Sequence, residues 1–582
     1  MTASPNNRTV PSEWRLTPVE PDAVARLKEI LRISPLLSAV LARRGFGEPE
    51  RARAFLDRAY EPLDPLELPG MEGALDVLRR TRRRGGTVAV YGDYDADGIL
   101  GTAILREALG RFGMPGGAGG VPFYVPTREH GYGLNKVAVR DLAADGVDLL
   151  LTVDCGISGV EEVEEARRLG MEVIVTDHHR PPDGPLPQAS AVVDPWLSGA
   201  GAPGSVLCGA GVALKLAQAL LGDLADQWLD LAAVATVADV VPLAGENRGL
   251  VSSRLPRLHC TRNPCLRALI EVAGLAGREL TARDLAFGLG PRINALGRME
   301  QGRAGEAVRA FGLQSMDHAL PAAREMDRAN RRRQAVEEEV LAEARAQLAG
   351  ALKEGARSLV ATGPGWPLGV IGIAAGRLAR DHGRPAAVIS LGGDGIGRGS
   401  ARGVPGFDLL RALGGCADVL ERFGGHAGAA GFAVRAGRVG DFRRSFAAAV
   451  ESAGLPEKTL ELDGLLSLAA VGEPVVHDLR RLSPFGEGNP EPLLCVPGVV
   501  VETLRRVGDG THLKMTVSHE GRRCEAIAFR IADDLWDTCR RDGPVDLACT
   551  PVINEFRGSR SVELQVRAAR EARPFGPVEG GQ

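Results

Sequence analysis

The feature that most constrains this chain is a series of short apolar runs, each ending in acidic or imidazole residues. Residues 87–91, 148–153, 172–176 and 191–193 are runs rich in Val, Leu, Ile or Ala, too short for helices. Helical patterns at 99–111 and 159–169 lie between them. Short buried strands alternating with helices predict a doubly wound parallel sheet, so the fold class is α/β. Ligands of such sheets gather beyond the carboxyl ends of the strands. The residues that follow each run are therefore the first candidates for a site.

The first run leads into Asp93, Asp95 and Asp97, followed by Gly98. Three carboxylates at alternating positions repel one another unless a divalent cation neutralises them. A calcium loop of the EF-hand type needs a Glu six residues after its glycine, and here that position is Ile104. A plain strand-to-helix turn with an Asp cap is the bland alternative. The second run ends in Asp154, the third in Asp177, His178 and His179, and a later helical stretch in Asp239. Three such termini in one sheet are hard to explain by packing alone. Carboxylates with one or two imidazoles suit two cations such as Mn2+ or Mg2+, a pair that clamps a phosphodiester and activates water. Asp154, central in the sheet, is the candidate bridging ligand. His179 either faces a substrate phosphate or steadies a neighbour.

The remaining chain divides by pattern. Residues 1–70 read as a helical preface with stretches at 22–33 and 49–56, and 71–316 as the unit holding the cluster. Residues 317–352 form a long charged pattern with few large apolar residues, expected to be a solvated connecting helix. A smaller α/β unit spans 353–456. Five β runs between 499 and 568, within a unit of 457–572, predict a small β-barrel of the OB type. Glycines around His426, and charge and hydroxyl beside a flexible backbone at 397–402, suit an anion. Exposed Arg505, Arg506, Lys514 and Phe529 are weaker candidates for gripping a strand. Arginines at 79–84 read as a helix C-terminus.

At 582 residues the chain needs several domains, and its net charge of -4 gives no overall steering toward polyanions. Nine scattered cysteines without a C-x-x-C pair predict reduced thiols rather than a zinc knuckle. A polar start and no long apolar run predict a cytoplasmic protein without a membrane anchor.

Residues 92–98, 153–156, 177–179 and 238–242 resemble the four successive motifs of the DHH phosphoesterase family. Segments 287–298 (FGLGPRINALGR), 366–372 (WPLGVIG), 424–431 (GGHAGAAG) and 483–492 (SPFGEGNPEP) are similar to its branch of single-strand exonucleases. The resemblance spans about residues 30–570. It implies Asp93, Asp95, Asp97, Asp154, His178 and Asp239 as the metal-binding set. It implies that Arg128, Ser400 and Arg402 hold a 5′ phosphate, with Asn294, Arg298 and His426 along the strand. Gly403 departs from the pattern, since many relatives carry Ser there. The implied activity is stepwise 5′ to 3′ hydrolysis of single-stranded DNA to mononucleotides by a monomer. Single-strand-binding protein and a recombination helicase are the implied partners. A phosphodiesterase for short RNA or cyclic dinucleotides is the runner-up, and a metal-free scaffold the rival from another class.

Overall fold

All four runs form neighbouring parallel strands. A computed structural model describes residues 13–573 except 118, 129–130, 203, 300–301 and 557–558. The start of the expected preface, before residue 13, lies outside the described residues. Strand β1 (Glu13–Arg15) precedes helices Pro21–Leu31, Pro35–Arg43 and Pro49–Asp57. Strands β2 (Val88–Tyr91), β3 (Phe123–Tyr124), β4 (Leu149–Thr152), β5 (Glu172–Thr176) and β6 (Ala191–Val193) then form a parallel sheet in the order β3-β2-β4-β5-β6. The two-residue edge strand β3 was not among the predicted runs.

The strands read as continuous apolar runs because both faces are covered. Val88, Val90, Leu149, Leu151 and Ile174 face one core, while Ala89, Tyr91, Leu150, Val173 and Val175 face the other. Burying each Leu contributes roughly 1.5–3 kcal/mol. Helix α1 (Ala96–Phe112) follows β2 directly. The helical stretch that ends at Asp239 forms α2 (Gly209–Leu221), a 3-10 turn at Gly222–Trp228, and α3 (Leu229–Ala238). The segment FGLGPRINALGR becomes a π-turn at Leu285–Leu289 running into α4 (Gly290–Met299).

The connecting helix α5 spans Met316–Lys353. It is not simply solvated, which corrects the expectation. Ala319, Ala323, Met326 and Ala329 pack into the first unit, and Val340, Leu341, Ala344 and Leu348 into the second. Small Ala side chains lower the apolar signal but let the helix lie close to its neighbours, so one stripe of α5 belongs to both cores.

The second unit carries β7 (Leu359–Pro364), helix α6 (Leu368–His382), β8 (Ala386–Leu391), β9 (Ile396–Arg402), β10 (Arg422–His426) and β11 (Ala429–Arg435). Their order is β10-β11-β9-β8-β7, with only the β7–β8 pair parallel. The segment 397–402, expected to be flexible, is strand β9. Its glycines serve packing: a Cβ at Gly399 would collide with the Phe432 ring. Alternation leaves Arg398, Ser400 and Arg402 on the opposite, half-exposed face.

Strands β12 (Thr459–Glu461) and β13 (Gly464–Leu465) lead to β14 (Leu494–Val507), β15 (His512–His519), β16 (Arg522–Ala528), β17 (Val545–Phe556) and β18 (Ser559–Glu571). The pairing β14-β15-β16-β18-β17 closes through β14–β17, giving the predicted five-stranded OB barrel. The N-terminal helices are part of this unit in space. Leu27, Leu37 and Leu41 share a core with Leu494, Val496 and Leu513, and β1 pairs with β12. Among the described residues no helix is long and apolar enough to cross a membrane.

Candidate active site

The rim beyond β2, β4 and β5 gathers the carboxylates and imidazoles that follow the apolar runs, together with Asp239. Asp95 caps α1, its Oδ1 accepting from the Asp97 and Gly98 N–H groups at 3.0 and 3.1 Å. The bland capping reading is thus true of Asp95 without excluding a second task. Asp97 accepts from the Gly209 and Ala210 N–H groups at the start of α2, at 2.6 and 2.8 Å. Close packing requires glycine twice: a Cβ at Gly209 would stand 2.6 Å from the Asp154 Cβ, and one at Gly98 2.6 Å from the Asp93 nitrogen. Asp154 takes a left-handed backbone, φ 62°, which Asp tolerates better than most residues.

His178 Nε2 lies 3.1 Å from Asp154 Oδ1 and 3.6 Å from both Asp97 Oδ2 and Asp239 Oδ2. Three donor groups fall within 4.8 Å: Asp93 with Asp95 and Asp154, Asp97 with His178 and Asp239, and Asp154 with both histidines. Asp154 and His178 each belong to two of the groups. Asp177 stands apart from them. Its oxygens accept from the Ile157, His178 and His179 N–H groups and from His179 Nδ1, so it orients the histidines.

The electrostatics describe a cation site. Burial raises the Asp93 and Asp154 carboxyls well above their usual range and raises Asp97 too, and neighbouring carboxylates add to it. Asp239 is pushed up to about 9 for the same reasons. Burial also lowers His178, favouring the neutral ligand form. Burial opposes charge on His179 too, but the Asp177 carboxylate outweighs it and raises the imidazole. Buried Asp93 Oδ1 has no hydrogen-bond partner. An all-oxygen and imidazole set with an unsatisfied buried carboxylate fits Mn2+ or Mg2+.

Beside the cluster a cleft of about 400 Å³ separates the two α/β units. Tyr94 and Arg128 line one wall, and Leu368, Ile371, Arg398, Ser400 and Phe423 the other. The Arg128 guanidinium stacks 4.0 Å over the Tyr94 ring, with its buried Nε unpartnered. Arg402 donates to Ser400 Oγ at 2.8 Å and to the Ala401 carbonyl. Arg298 donates across the interface to the Gly369 carbonyl at 3.1 Å. Burial, with Arg128 adding repulsion, pushes Arg298 down to about 9. Asn294, one turn earlier on α4, keeps a buried Oδ1 without a partner.

His426 is placed differently. It ends β10 in an exposed hairpin, its Nδ1 accepting from the Gly428 N–H. The glycine-rich segment around it is that hairpin, and no contact joins His426 to the carboxylates among the described residues. Two of the barrel candidates are committed to the fold: Lys514 pairs with Glu563, and Arg506 with Asp533 at 2.8 Å. Arg80 and Arg84 pair with Glu172, as structural residues would.

Sequence reasoning passed over two tyrosines. Tyr132 Oη donates to the Asp154 carbonyl at 2.9 Å and meets His179 Nδ1 at 2.8 Å. Tyr94 forms the platform under Arg128. Its place between Asp93 and Asp95 was the available signal. Tyr132 had only its position in the Arg128 loop, between two glycines.

Three family models match the chain: the DHH family N-terminal domain at residues 87–236, the DHHA1 domain at 355–452 and the RecJ OB domain at 462–568. The chain is 35% identical to the single-stranded-DNA-specific exonuclease RecJ of Bacillus subtilis, over 96% of this chain and 70% of that one. It is 36% identical to the Escherichia coli protein of the same name, over 91% and 95%. The crystal structure of Thermus thermophilus RecJ with Mn2+ superposes with a TM-score of 0.82 at 32% identity, over 96% of this chain and 80% of that one. The Mg2+ complex of the same protein gives 0.76 at 31%, over 96% and 79%. With its DHH sheet, its second α/β unit, its closing barrel and its metal-competent rim, the chain belongs to the RecJ family of DHH phosphoesterases, metal-dependent nucleases.

Proposed function

We propose that this chain digests single-stranded DNA from its 5′ end, releasing 5′ mononucleotides during recombination and repair. One observation carries the reading. Arg128 and Arg298 feel the Asp93 and Asp95 carboxylates, Arg402 stands beside Arg128, and none of the three has a carboxylate within ion-pair distance among the described residues. Guanidinium groups not tied up in an ion pair suit a phosphate chain, and arginine's fork binds phosphate bidentately.

Asp93, Asp95, Asp97, Asp154, His178 and Asp239 would hold two divalent ions, with Asp154 as the bridging ligand. Such ions supply Lewis acidity at a phosphoryl oxygen and an activated water. Asp177 and Tyr132 fix the Nδ1 side of His179, and Asp177 favours its charged form, so the ring can donate to a phosphate oxygen from its other nitrogen. Arg128, Ser400 and Arg402 take the terminal 5′ phosphate. Asn294 and Arg298 hold the strand nearer the cluster, and His426 lies farther along it. A cleft between the two units that admits one strand and excludes duplex is the basis of strand selectivity in this reading. The division into a preface (1–70), a DHH unit (71–316), a linking helix (317–352), a substrate unit (353–456) and a barrel (457–572) follows this use. The barrel favours a polymer over short RNA or cyclic dinucleotides as substrate. The same reading makes the chain a cytoplasmic monomer working beside single-strand-binding protein and a recombination helicase.

Single strands labelled at either end and incubated with Mn2+ test the proposal. The 5′ label should leave at once as mononucleotide, while the 3′ label persists in shortening fragments. The opposite order would overturn the polarity.

A further inference from the structure

The segment SPFGEGNPEP leads into the barrel, yet it is packed against the residues that follow Asp239. Val240 directly after that carboxylate has φ 62°, and its side chain is 62% exposed. A β-branched residue in the left-handed region is a true outlier, and such strain persists only where surrounding contacts impose it.

Those contacts come largely from the linker. The Leu243 N–H donates to the Glu487 carbonyl at 2.8 Å. Gly486 and Gly488 sit so close that added Cβ atoms would stand 2.8 Å from Leu243 Cδ1 and 3.1 Å from Pro242 Cβ. Gly486 and Asn489 bridge each other, making the loop a tight bend. Buried Asn489 braces it from inside, donating to the Leu482 and Pro484 carbonyls at 2.8 Å each. From the catalytic side Arg248 donates to the Ser483 carbonyl at 2.9 Å, and Asn247 to the Pro242 carbonyl at 3.1 Å. The loop and residues 242–243 are thus held to each other from both sides.

We propose that the loop 486–489 is a positioning element for Asp239: by pinning Pro242 and Leu243 it holds the left-handed bend at Val240 and so fixes the end of α3, from which this carboxylate reaches His178. The barrel linker then has a task beyond tethering a DNA-binding unit: it completes the geometry of the metal site. The inference rests on Asp239 being a metal ligand. Groups that orient a ligand without touching the metal typically change affinity by about 10–100-fold when altered.

The test is Mn2+ titration of the full chain followed by electron paramagnetic resonance, with thermal unfolding in chelator alongside. Gly488→Ala, which presses the loop off Pro242, should weaken Mn2+ binding by roughly tenfold. Val240→Gly removes the strain without adding bulk. Alone it should leave Mn2+ binding near wild type and the unfolding midpoint of the metal-free protein equal or higher. Combined with Gly488→Ala it should restore most of the lost Mn2+ affinity, because glycine keeps the bend without being forced into it. A merely structural role for the loop predicts no such rescue. Gly510→Ala, at φ 85° in an open turn of the barrel, is the control and should bind Mn2+ like the wild type. No rescue of Gly488→Ala by Val240→Gly, or a loss in Gly488→Ala no larger than in the control, would overturn the proposal. If Gly488→Ala does not fold, Asn489→Ala, which removes the brace inside the loop, takes its place in both comparisons. A wild-type chain that binds no Mn2+ would instead overturn the metal site itself.

Discussion

Asp154 sits where the largest number of like charges meet. Its carboxyl is raised first by burial and then by Asp97, Asp95, Asp93 and Asp239. Asp154→Ala should lower the turnover of single-stranded DNA by roughly 10³-fold or more. The same change removes a repelled charge, so the unfolding midpoint in chelator should stay equal or rise. Near-normal turnover would remove Asp154 from the reaction. The cluster also sets a pH dependence. A folded-state pKa above the unfolded value stabilises the metal-free fold fully below about pH 4, and this is lost as pH climbs through the raised values. For Asp239 that value is about 9. Cations take the place of those protons, so their stabilising effect grows with pH. The rise in Tm caused by Mn2+ should be larger at about pH 8.5 than at about pH 6. Equal rises would mean that Mn2+ acts elsewhere.

Strand β9 shows how an element turns composition into a site. Gly397, Gly399 and Ala401 face the core, where Phe432 covers Gly399, and this sets Arg398, Ser400 and Arg402 on the cleft side. Gly399→Val should cost about 1–3 kcal/mol by overpacking, read from denaturant unfolding. Arg402→Ala acts on the other face and should leave stability nearly unchanged. It should cut the preference for 5′-phosphorylated over 5′-hydroxyl strands by roughly tenfold, the worth of a charged hydrogen bond. An unchanged preference would place the 5′ end elsewhere. Helix α5 carries the complementary lesson. Of its twelve buried residues four are alanine and four are Asp327, Asn330, Arg333 and Glu337, so periodicity in large apolar residues was faint and the helix read as solvated.

Across the whole molecule, two α/β units face each other over the cleft, tied by α5 and by the Arg298–Gly369 hydrogen bond. In the proposed reading this cleft admits a single strand and excludes duplex. Blunt duplex should therefore be digested far more slowly than the same strand alone, measured by release of labelled nucleotide. Equal rates would end the narrow-cleft account. The barrel and the N-terminal helices form one further body with a shared core, although about four hundred residues of chain separate them. No local pattern encodes such a pairing.

Residue type and spacing alone determined the parallel sheet, the barrel and the seven carboxylates and imidazoles on the rim. Strand ends and Asp clusters are local features, and a two-residue period survives in any single strand. Tertiary structure decided what depends on approach between distant segments. It placed Tyr94 under Arg128 and Tyr132 against His179, put 397–402 into a strand, and left His426 on an exposed hairpin. It also brought the barrel linker onto the residues after Asp239. These contacts arise from how whole elements pack, and close packing is a property of three-dimensional shape that one-dimensional order does not carry.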